Sequence, residues 1–272
     1  MIDYERPPEP PDFRASIHDA EQAVERAVRA GVEPDFPPLW QRYKSAFATA
    51  QKQKCAFCDR DATTDDPHLD HFAPKAAVYE LSDDPAERGR EVYDGLPNAR
   101  DRKRAREVKP GYWWRAYDWH NFLLVCGTCN SKWKQCFFPV DAESRQWPPV
   151  REMVEQPLLL HPFDDRAPWR SFSLDKNGQI QGRDRRGKAT VETCNLDRET
   201  LRKKRTGIVR DAIRHAAEFR RRGMRYALEN LCELGGDERA FAGAVRAIAE
   251  QLTDRTWEQL CFLLEHWPED TR

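Results

Sequence analysis

The sequence predicts an α+β protein that is mostly α-helical. Three observations predict it: apolar residues recur at helical spacing near both ends of the chain, a short candidate strand lies at 68–72, and Asn177-Gly178 is a clear hairpin signal. With 272 residues, 39% hydrophobic and 33% charged, the chain can bury one large core or two small ones beneath a highly charged surface. We divide the chain into four regions: 1–50, 51–140, 141–195 and 196–272.

The first region combines a proline-rich arm with two predicted helices. Residues 1–12 are acidic and contain four prolines, which favours an extended arm rather than a packed element. A helix is predicted from Ser16 to Gly31, since apolar residues recur at helical spacing, namely Ala20, Val24 and Val28. Pro37-Pro38 opens a second helix. We expect both helices to be scaffold, because their apolar residues form one buried face.

Two Cys-x-x-Cys pairs bracket the most informative part of the chain: Cys55, Cys58, Cys126 and Cys129. Each pair can present two thiolates to one tetrahedral zinc ion, and four thiolates leave no position for water. We therefore expect a zinc ion that supports folding rather than catalysis. The alternatives are two unrelated buried pairs or a redox motif, but no alternation of strands and helices surrounds either pair.

Residues suited to phosphodiester hydrolysis lie between and beside these pairs. Such a reaction needs a base that takes a proton from water and a hard divalent cation that stabilises charge on the phosphate. His71 suits the base, while Asp70 and Asn130 supply oxygen ligands for Mg²⁺ or Mn²⁺ and leave water positions open on the ion. Asp70 and His71 are neighbours at a strand end, where both can converge on one phosphate.

Four segments carry a family resemblance: CAFCDR, HLDHFAPK, YDWHNFLLVCGTCNSK and FFP. They resemble the zinc-knuckle subgroup of the HNH endonucleases, whose ββα-metal fold is a β-hairpin and a helix around one catalytic ion. The resemblance implies that Asp70 and Asn130 bind the ion, that His71 is the general base and that Asn121 braces the loop between the strands. The family often has lysine three residues after the last asparagine, but here that residue is Trp133, so two flanking lysines are candidates for phosphate binding: Lys132 and Lys134.

A narrower resemblance rests on the segments GYWWRAYDWHN, EQPLLLHPFDD, NGQIQG and NLDRETLRKKR. They are similar to the HNH nucleases of Septu-type and retron-associated bacterial anti-phage systems. The resemblance covers residues 50–205. Those nucleases work beside an ATPase, so it implies an ATPase partner for this chain.

Other segments could contact a nucleic-acid backbone. Lys75 is close enough in sequence to His71 to meet a phosphate, or it is a solvated lysine. A charged insertion is predicted at 82–110; six cations against two acids between residues 100 and 109 form a phosphate contact or a solvated face. The aromatic residues of 112–119 could stack on unpaired bases, but packing of the metal module is the simpler interpretation.

The last two regions contain a wrapping segment, a small hairpin and a helical end. We expect the hairpin around Asn177-Gly178 to pack on the predicted nuclease core, residues 51–140. Residues 198–225 contain eleven Lys or Arg against three acids, a basic amphipathic helix that could line a nucleic-acid groove, dock on an acidic partner or be simply solvated. The acidic helices after Gly235-Gly236 are better candidates for contact with a protein.

Charge and hydropathy indicate which partners and which cellular compartment to expect. The formal net charge is only -1, but nineteen acids lie in 1–36 and 226–272, which leaves the middle of the chain basic. No apolar run could span a bilayer, and the amino terminus has no export signal, so we expect a cytoplasmic protein without membrane association. Zinc-binding thiolates also suit a reducing compartment.

These observations predict a metal-dependent endonuclease that hydrolyses DNA. RNA is the alternative substrate, because the motif binds the phosphate backbone and does not indicate whether the sugar is ribose or deoxyribose. A zinc-dependent nucleic-acid-binding module without catalysis is a third interpretation. The complete set of Asp70, His71, Asn121 and Asn130 argues against it, because a binder does not need all four.

Overall fold

The computed structural model describes residues 1–79, 108–141, 151 and 156–268. Its helices are α1 Phe13–Arg29, α2 Lys44–Ala50, α3 Thr128–Lys134, α4 Arg185–Cys194, α5 Glu199–Arg222, α6 Arg225–Leu234, α7 Ala242–Thr253 and α8 Trp257–Glu265. Its strands are β1 His68–His71, β2 Ala77–Tyr79, β3 Val108–Pro110, β4 Phe122–Val125, β5 Phe172–Leu174 and β6 Ile180–Gly182. Helices dominate this part of the chain, which confirms the prediction of a mostly α, α+β protein.

The strands of the described residues form three two-stranded antiparallel sheets, β1 with β4, β2 with β3 and β5 with β6. All four residues of β4 are buried, as their continuous apolar sequence requires of a strand covered on both faces. In the β1–β4 pair, Asp70 lies opposite Leu123 and His71 opposite Phe122. Helix α3 follows β4 after two residues, so β1, β4 and α3 form one strand–strand–helix unit.

The amino-terminal arm differs from the prediction. It has no helix or strand before Phe13, but Met1 and Ile2 are buried in the core. Prolines prevent regular hydrogen bonding within the arm, while its other groups bond to the core: the Tyr4 main-chain nitrogen donates to Pro162 at 2.8 Å, and the Trp119 indole donates to the Pro7 carbonyl at 2.8 Å. The arm is therefore extended and packed.

The helices of the first region form with shifted boundaries. Helix α1 begins at Phe13, before the predicted Ser16, because Phe13 is itself fully buried and adds a turn to the apolar face. The Pro37-Pro38 pair opens a 3₁₀ turn, Leu39–Tyr43, which leads directly into α2.

The predicted insertion falls mainly outside the described residues, including the basic run at 100–107. Its end does not: Val108–Pro110 forms β3 and pairs with β2. The expectation of an irregular segment up to residue 110 is therefore wrong at this end.

The hairpin predicted around Asn177-Gly178 forms between β5 and β6. Gly178 has a φ of +74°, which a side chain would strain. The hairpin packs on helices of the carboxyl-terminal half, since β6 contacts α4 and β5 contacts α7. Phe172, Leu174 and Ile180 also line a small cavity together with Phe57 and Cys58 of the first cysteine pair.

The carboxyl-terminal region is helical, as predicted, with α5 packed against α6 and α7. Within the described residues, every helix is too short or too polar to span a bilayer.

Candidate functional site

The four predicted zinc ligands come together in the core. The Sγ atoms of Cys55, Cys58, Cys126 and Cys129 all lie within 4.8 Å of one another, and all four residues are buried. The Cys58 and Cys126 sulfurs are 3.9 Å apart. A tetrahedral zinc with Zn–S bonds of about 2.3 Å places its sulfurs about 3.8 Å apart, so this cluster could hold a zinc ion.

Arg198 approaches the cysteine cluster from the start of α5. Its Nη2 donates to the Cys129 sulfur at 3.4 Å. Burial alone would lower the pKa of the Arg198 guanidinium, but the Cys129 and Cys58 sulfurs raise it above its usual range. A guanidinium here offsets the negative charge of four thiolates around a divalent ion. Arg198 was not predicted from the sequence, because it lies 69 residues after Cys129 and belongs to no recognisable spacing motif.

Asp65 fixes the second Cys-x-x-Cys pair from the loop after the first. Its carbonyl accepts from the Gly127 nitrogen at 2.6 Å, and its Oδ2 accepts from the Thr128 nitrogen at 3.2 Å. Arg60 donates to the same carboxylate oxygen at 2.7 Å. The Asp65 side chain and carbonyl thereby connect the loop after the first cysteine pair to the second pair.

Lys134 is the predicted phosphate-binding lysine that lies beside Asp70 and His71. Its Nζ donates to the Asp70 Oδ2 at 3.2 Å, the His71 carbonyl at 2.7 Å and the Gln135 carbonyl at 3.3 Å. The Lys134 side chain is 1% exposed and that of Asp70 is 19% exposed. The ammonium thus occupies one side of the Asp70 carboxylate, and Oδ1 has no partner among the described residues.

The geometry of α3 explains why Lys134 occupies this position. Helix α3 is a π-helix, and the Gln135 nitrogen donates to the Asn130 carbonyl five residues earlier at 2.9 Å. Each turn of a π-helix takes up more residues than a turn of an α-helix. The lysine four residues after Asn130 therefore faces Asp70, while Lys132 is exposed.

His71 is held in an apolar pocket with one ring nitrogen fixed. Its Nε2 lies 2.8 Å from the Ala116 carbonyl, and as a donor there it leaves Nδ1 as the acceptor. The ring packs edge-on against Trp40 at 4.5 Å and Phe122 at 5.4 Å. Burial, with the charge of Lys75, lowers the pKa of His71 to about 3, so the imidazole is neutral at pH 7. Nδ1 has no hydrogen-bond partner in the part of the chain that the structure describes.

Asn121 is fully buried and braces the loop that follows β1. Its Oδ1 accepts from the Ala73 nitrogen at 2.8 Å, and its Nδ2 donates to the Ala73 carbonyl at 3.0 Å and the Arg115 carbonyl at 2.9 Å. Arg115 directly precedes Ala116, the residue that fixes His71. Asn121 therefore ties the loop after β1 to the segment that holds the His71 ring.

The remaining predicted site residues differ in their surroundings. Lys75 is partly buried, with its Nζ 4.5 Å from the centre of the Trp40 ring, and burial lowers its pKa. Asn130 is partly exposed on α3, and its side-chain amide has no hydrogen-bond partner among the described residues. Asp70 and Asn130 thus offer the hard oxygen donors that suit a hydrated divalent cation.

Comparison with known proteins supports the resemblance to Septu proteins. The chain is similar to Septu protein PtuB of Bacillus mycoides (strain KBAB4), with 28% identity over 162 residues that cover 58% of this chain and 48% of that protein. A stretch of 92 residues is 33% identical to Septu protein PtuA of the same strain, covering 33% of this chain and 13% of that protein. No protein-family model matches. The chain therefore spans about half the length of PtuB.

Proposed function

We propose that this chain is a metal-dependent HNH endonuclease of a Septu-type anti-phage defence system and that it hydrolyses DNA. The observation that carries the proposal is the Lys134 ammonium, which contacts both the Asp70 carboxylate and the main-chain carbonyl of His71 on the β1–β4–α3 unit. The similarity to PtuB supports the assignment to a Septu-type system.

In the proposed reaction, Nδ1 of His71 takes a proton from the attacking water. The Nε2 contact to Ala116 and the brace from Asn121 hold the imidazole in place, so that little reorganisation precedes the transfer. Lys75 and Lys134 place positive charge around a bound phosphate. Asp70 and Asn130 would hold Mg²⁺ or Mn²⁺, which when bound stabilises charge on the phosphate and the leaving oxygen.

The zinc ion has a separate, structural role in this proposal. All four of its ligands would be thiolates, so water has no coordination position on it. The cysteine pairs adjoin the elements that carry the reactive residues: Cys126 directly follows β4, and Cys129 lies on α3.

An ATPase partner also belongs to the proposal. Similarity to two Septu proteins, PtuB and PtuA, is consistent with a nuclease that works within such a system. Stable co-purification of this chain with an ATPase expressed from the same gene neighbourhood would support the partnership, and failure to associate with any such protein, with or without ATP, would refute it.

The nuclease proposal is tested with supercoiled plasmid and total RNA. Wild type and His71→Ala are incubated with each polymer, with and without added Mn²⁺, after the zinc content of both proteins has been measured. We expect Mn²⁺-dependent cutting of plasmid by wild type only, with equal zinc in the two proteins. Cutting of RNA alone would replace the DNA assignment, and equal cutting by His71→Ala would overturn the mechanism.

A further inference from the structure

A groove of about 710 Å³ lies beside the proposed active site, between α3 and the start of α5. The loop that follows the first Cys-x-x-Cys pair contributes one edge through Arg60, Thr64 and Asp65. The opposite edge is the turn before α5 and the first turns of that helix, where Asn195 in a left-handed conformation reverses the chain. Nothing in the proposed reaction uses this groove.

The lining of the groove is rich in cations. Five lining residues are basic: Arg60, Lys132, Arg198, Arg202 and Lys204. Three are acidic: Asp65, Asp197 and Glu199.

Each of these acids is already engaged within the fold. Asp65 accepts from Arg60 and from the Thr128 nitrogen, as described above. Asp197 accepts from the Ile180 nitrogen at 3.0 Å, and Glu199 pairs with Lys203 at 2.6 Å. The acidic groups therefore offset only part of the positive charge that faces the groove.

Three of the cations are placed to reach a ligand. Arg60 and Arg198 are turned toward Asp65 and the cysteine sulfurs. Lys132 and Lys204 are exposed, and the Arg202 side chain is 38% exposed, with Asp197 no closer than 3.8 Å. Lys132, Arg202 and Lys204 thus line one groove from exposed or partly exposed positions.

Helix α3 separates this groove from the proposed active site by its own width. It carries Lys134 on the side of Asp70 and Lys132 on the side of the groove. A polyanion bound on the Asp70 side of α3 can therefore cross one short helix and continue to Lys132.

We propose that the groove binds the phosphate backbone of the DNA strand that flanks the scissile bond, with Lys132, Arg202 and Lys204 as its phosphate contacts. The proposal rests on the proposed function and adds a second binding surface to it. Charge complementarity favours a polyphosphate backbone over a neutral ligand, and a groove of this volume is larger than one phosphate needs.

The test measures binding separately from cleavage. A fluorescently labelled DNA duplex is titrated with the full chain in the absence of added divalent ion, at several salt concentrations. The variants are Lys132→Ala, Arg202→Ala, Lys204→Ala and the triple variant. Each lost phosphate contact lowers the slope of log affinity against log salt by about 1, so the triple variant loses about 3.

Arg221→Ala is the matched control. Arg221 is exposed on the same helix, about 26 Å from Lys204 along the helix axis, and does not line the groove. We expect its slope to equal that of wild type. An equal loss of slope in Arg221→Ala and Lys204→Ala would mean that DNA is attracted to the charge of the whole helix rather than bound in the groove. That result would overturn the proposal.

The two proposals fail in different ways. If wild type cuts plasmid and the triple variant binds and cuts as well as wild type, the groove proposal is wrong and the nuclease proposal stands. If wild type binds with the expected slopes but never cuts with Mn²⁺, the nuclease proposal fails and the binding surface stands.

Discussion

Lys134 shows how a single residue joins folding to chemistry in this molecule. A lysine that is 1% exposed must have its charge and its donors satisfied, and Asp70 with two carbonyls does so. The same contacts hold the Asp70 carboxylate in one orientation. Lys132, two residues earlier, is exposed.

The two lysines are therefore predicted to respond differently to substitution. Lys134→Met should lower the free energy of unfolding by about 2 kcal/mol, because Asp70 keeps a partly buried charge without its partner. Lys132→Met should change it by less than about 0.5 kcal/mol. Urea unfolding of both variants measures the difference. Equal effects would mean that the π-helical position of Lys134 is wrong.

His161 is a second buried residue with a measurable consequence. It packs on Phe72 at 4.5 Å between ring centres, and it is 3% exposed. Burial, opposed by Asp164, lowers the pKa of His161 to about 4. The unfolded chain, with a histidine pKa of about 6.5, therefore binds more protons between these values, and stability falls as the pH falls.

The predicted loss from this histidine is on the order of 1 kcal/mol between about pH 7.5 and pH 5.5. Urea unfolding of wild type and His161→Phe at both pH values isolates the contribution of His161, because zinc loss and the titration of all other groups affect both proteins. The difference in stability between the two proteins should change by this amount. A constant difference would show that His161 titrates normally in the folded protein.

At the scale of elements, the basic helix α5 contains one residue that packing does not explain. Gly207 lies in its middle, is exposed, and a Cβ added there would meet nothing within 4 Å. Glycine in the interior of a helix costs about 1 kcal/mol relative to alanine. Gly207 therefore lowers the stability of α5, and no packing contact requires a glycine there.

Gly207→Ala is predicted to raise the free energy of unfolding by about 0.5–1 kcal/mol. Thermal or urea unfolding checks it, with Ala217→Gly at another exposed position of the same helix as the reverse substitution. Ala217→Gly should destabilise by a similar amount. A loss of stability in Gly207→Ala would show that this face is covered by another part of the chain.

Sequence reasoning succeeded where chemistry imposes spacing and failed where contacts are distant. The cysteine pairs, β1 and the hairpin at Asn177-Gly178 follow from local patterns, and the structure contains them. The contact of Arg198 with Cys129 and the burial of Met1 depend on tertiary packing, which local patterns do not encode. The π-helix of α3 differs from an α-helix by a single residue per turn, and no composition signal distinguishes the two.

At the scale of the whole molecule, the cysteine cluster ties distant parts of the chain together. Cys55 and Cys58 come from the loop after α2, Cys126 and Cys129 from the β4–α3 unit, and Arg198 connects the cluster to α5. Loss of zinc should therefore weaken the whole core rather than one loop.

Cys126→Ser is predicted to lose zinc and to lower the Tm by roughly 5 °C or more. Cys261→Ser is the control, since Cys261 is partly exposed on α8 and outside the cluster. Metal analysis and thermal unfolding of both variants check the prediction. Full zinc content in Cys126→Ser would contradict a site made of four thiolates.

Asp70→Ala tests the central claim most directly, because Asp70 is the residue that the proposal assigns to the catalytic ion and not to zinc. The measurement is Mn²⁺ affinity and plasmid cleavage on the same sample, for wild type and Asp70→Ala at equal zinc content. The account predicts that Asp70→Ala keeps its zinc, binds Mn²⁺ at least tenfold more weakly, on the order of 1.4 kcal/mol, and does not cut. Mn²⁺ binding and cutting equal to wild type would contradict it.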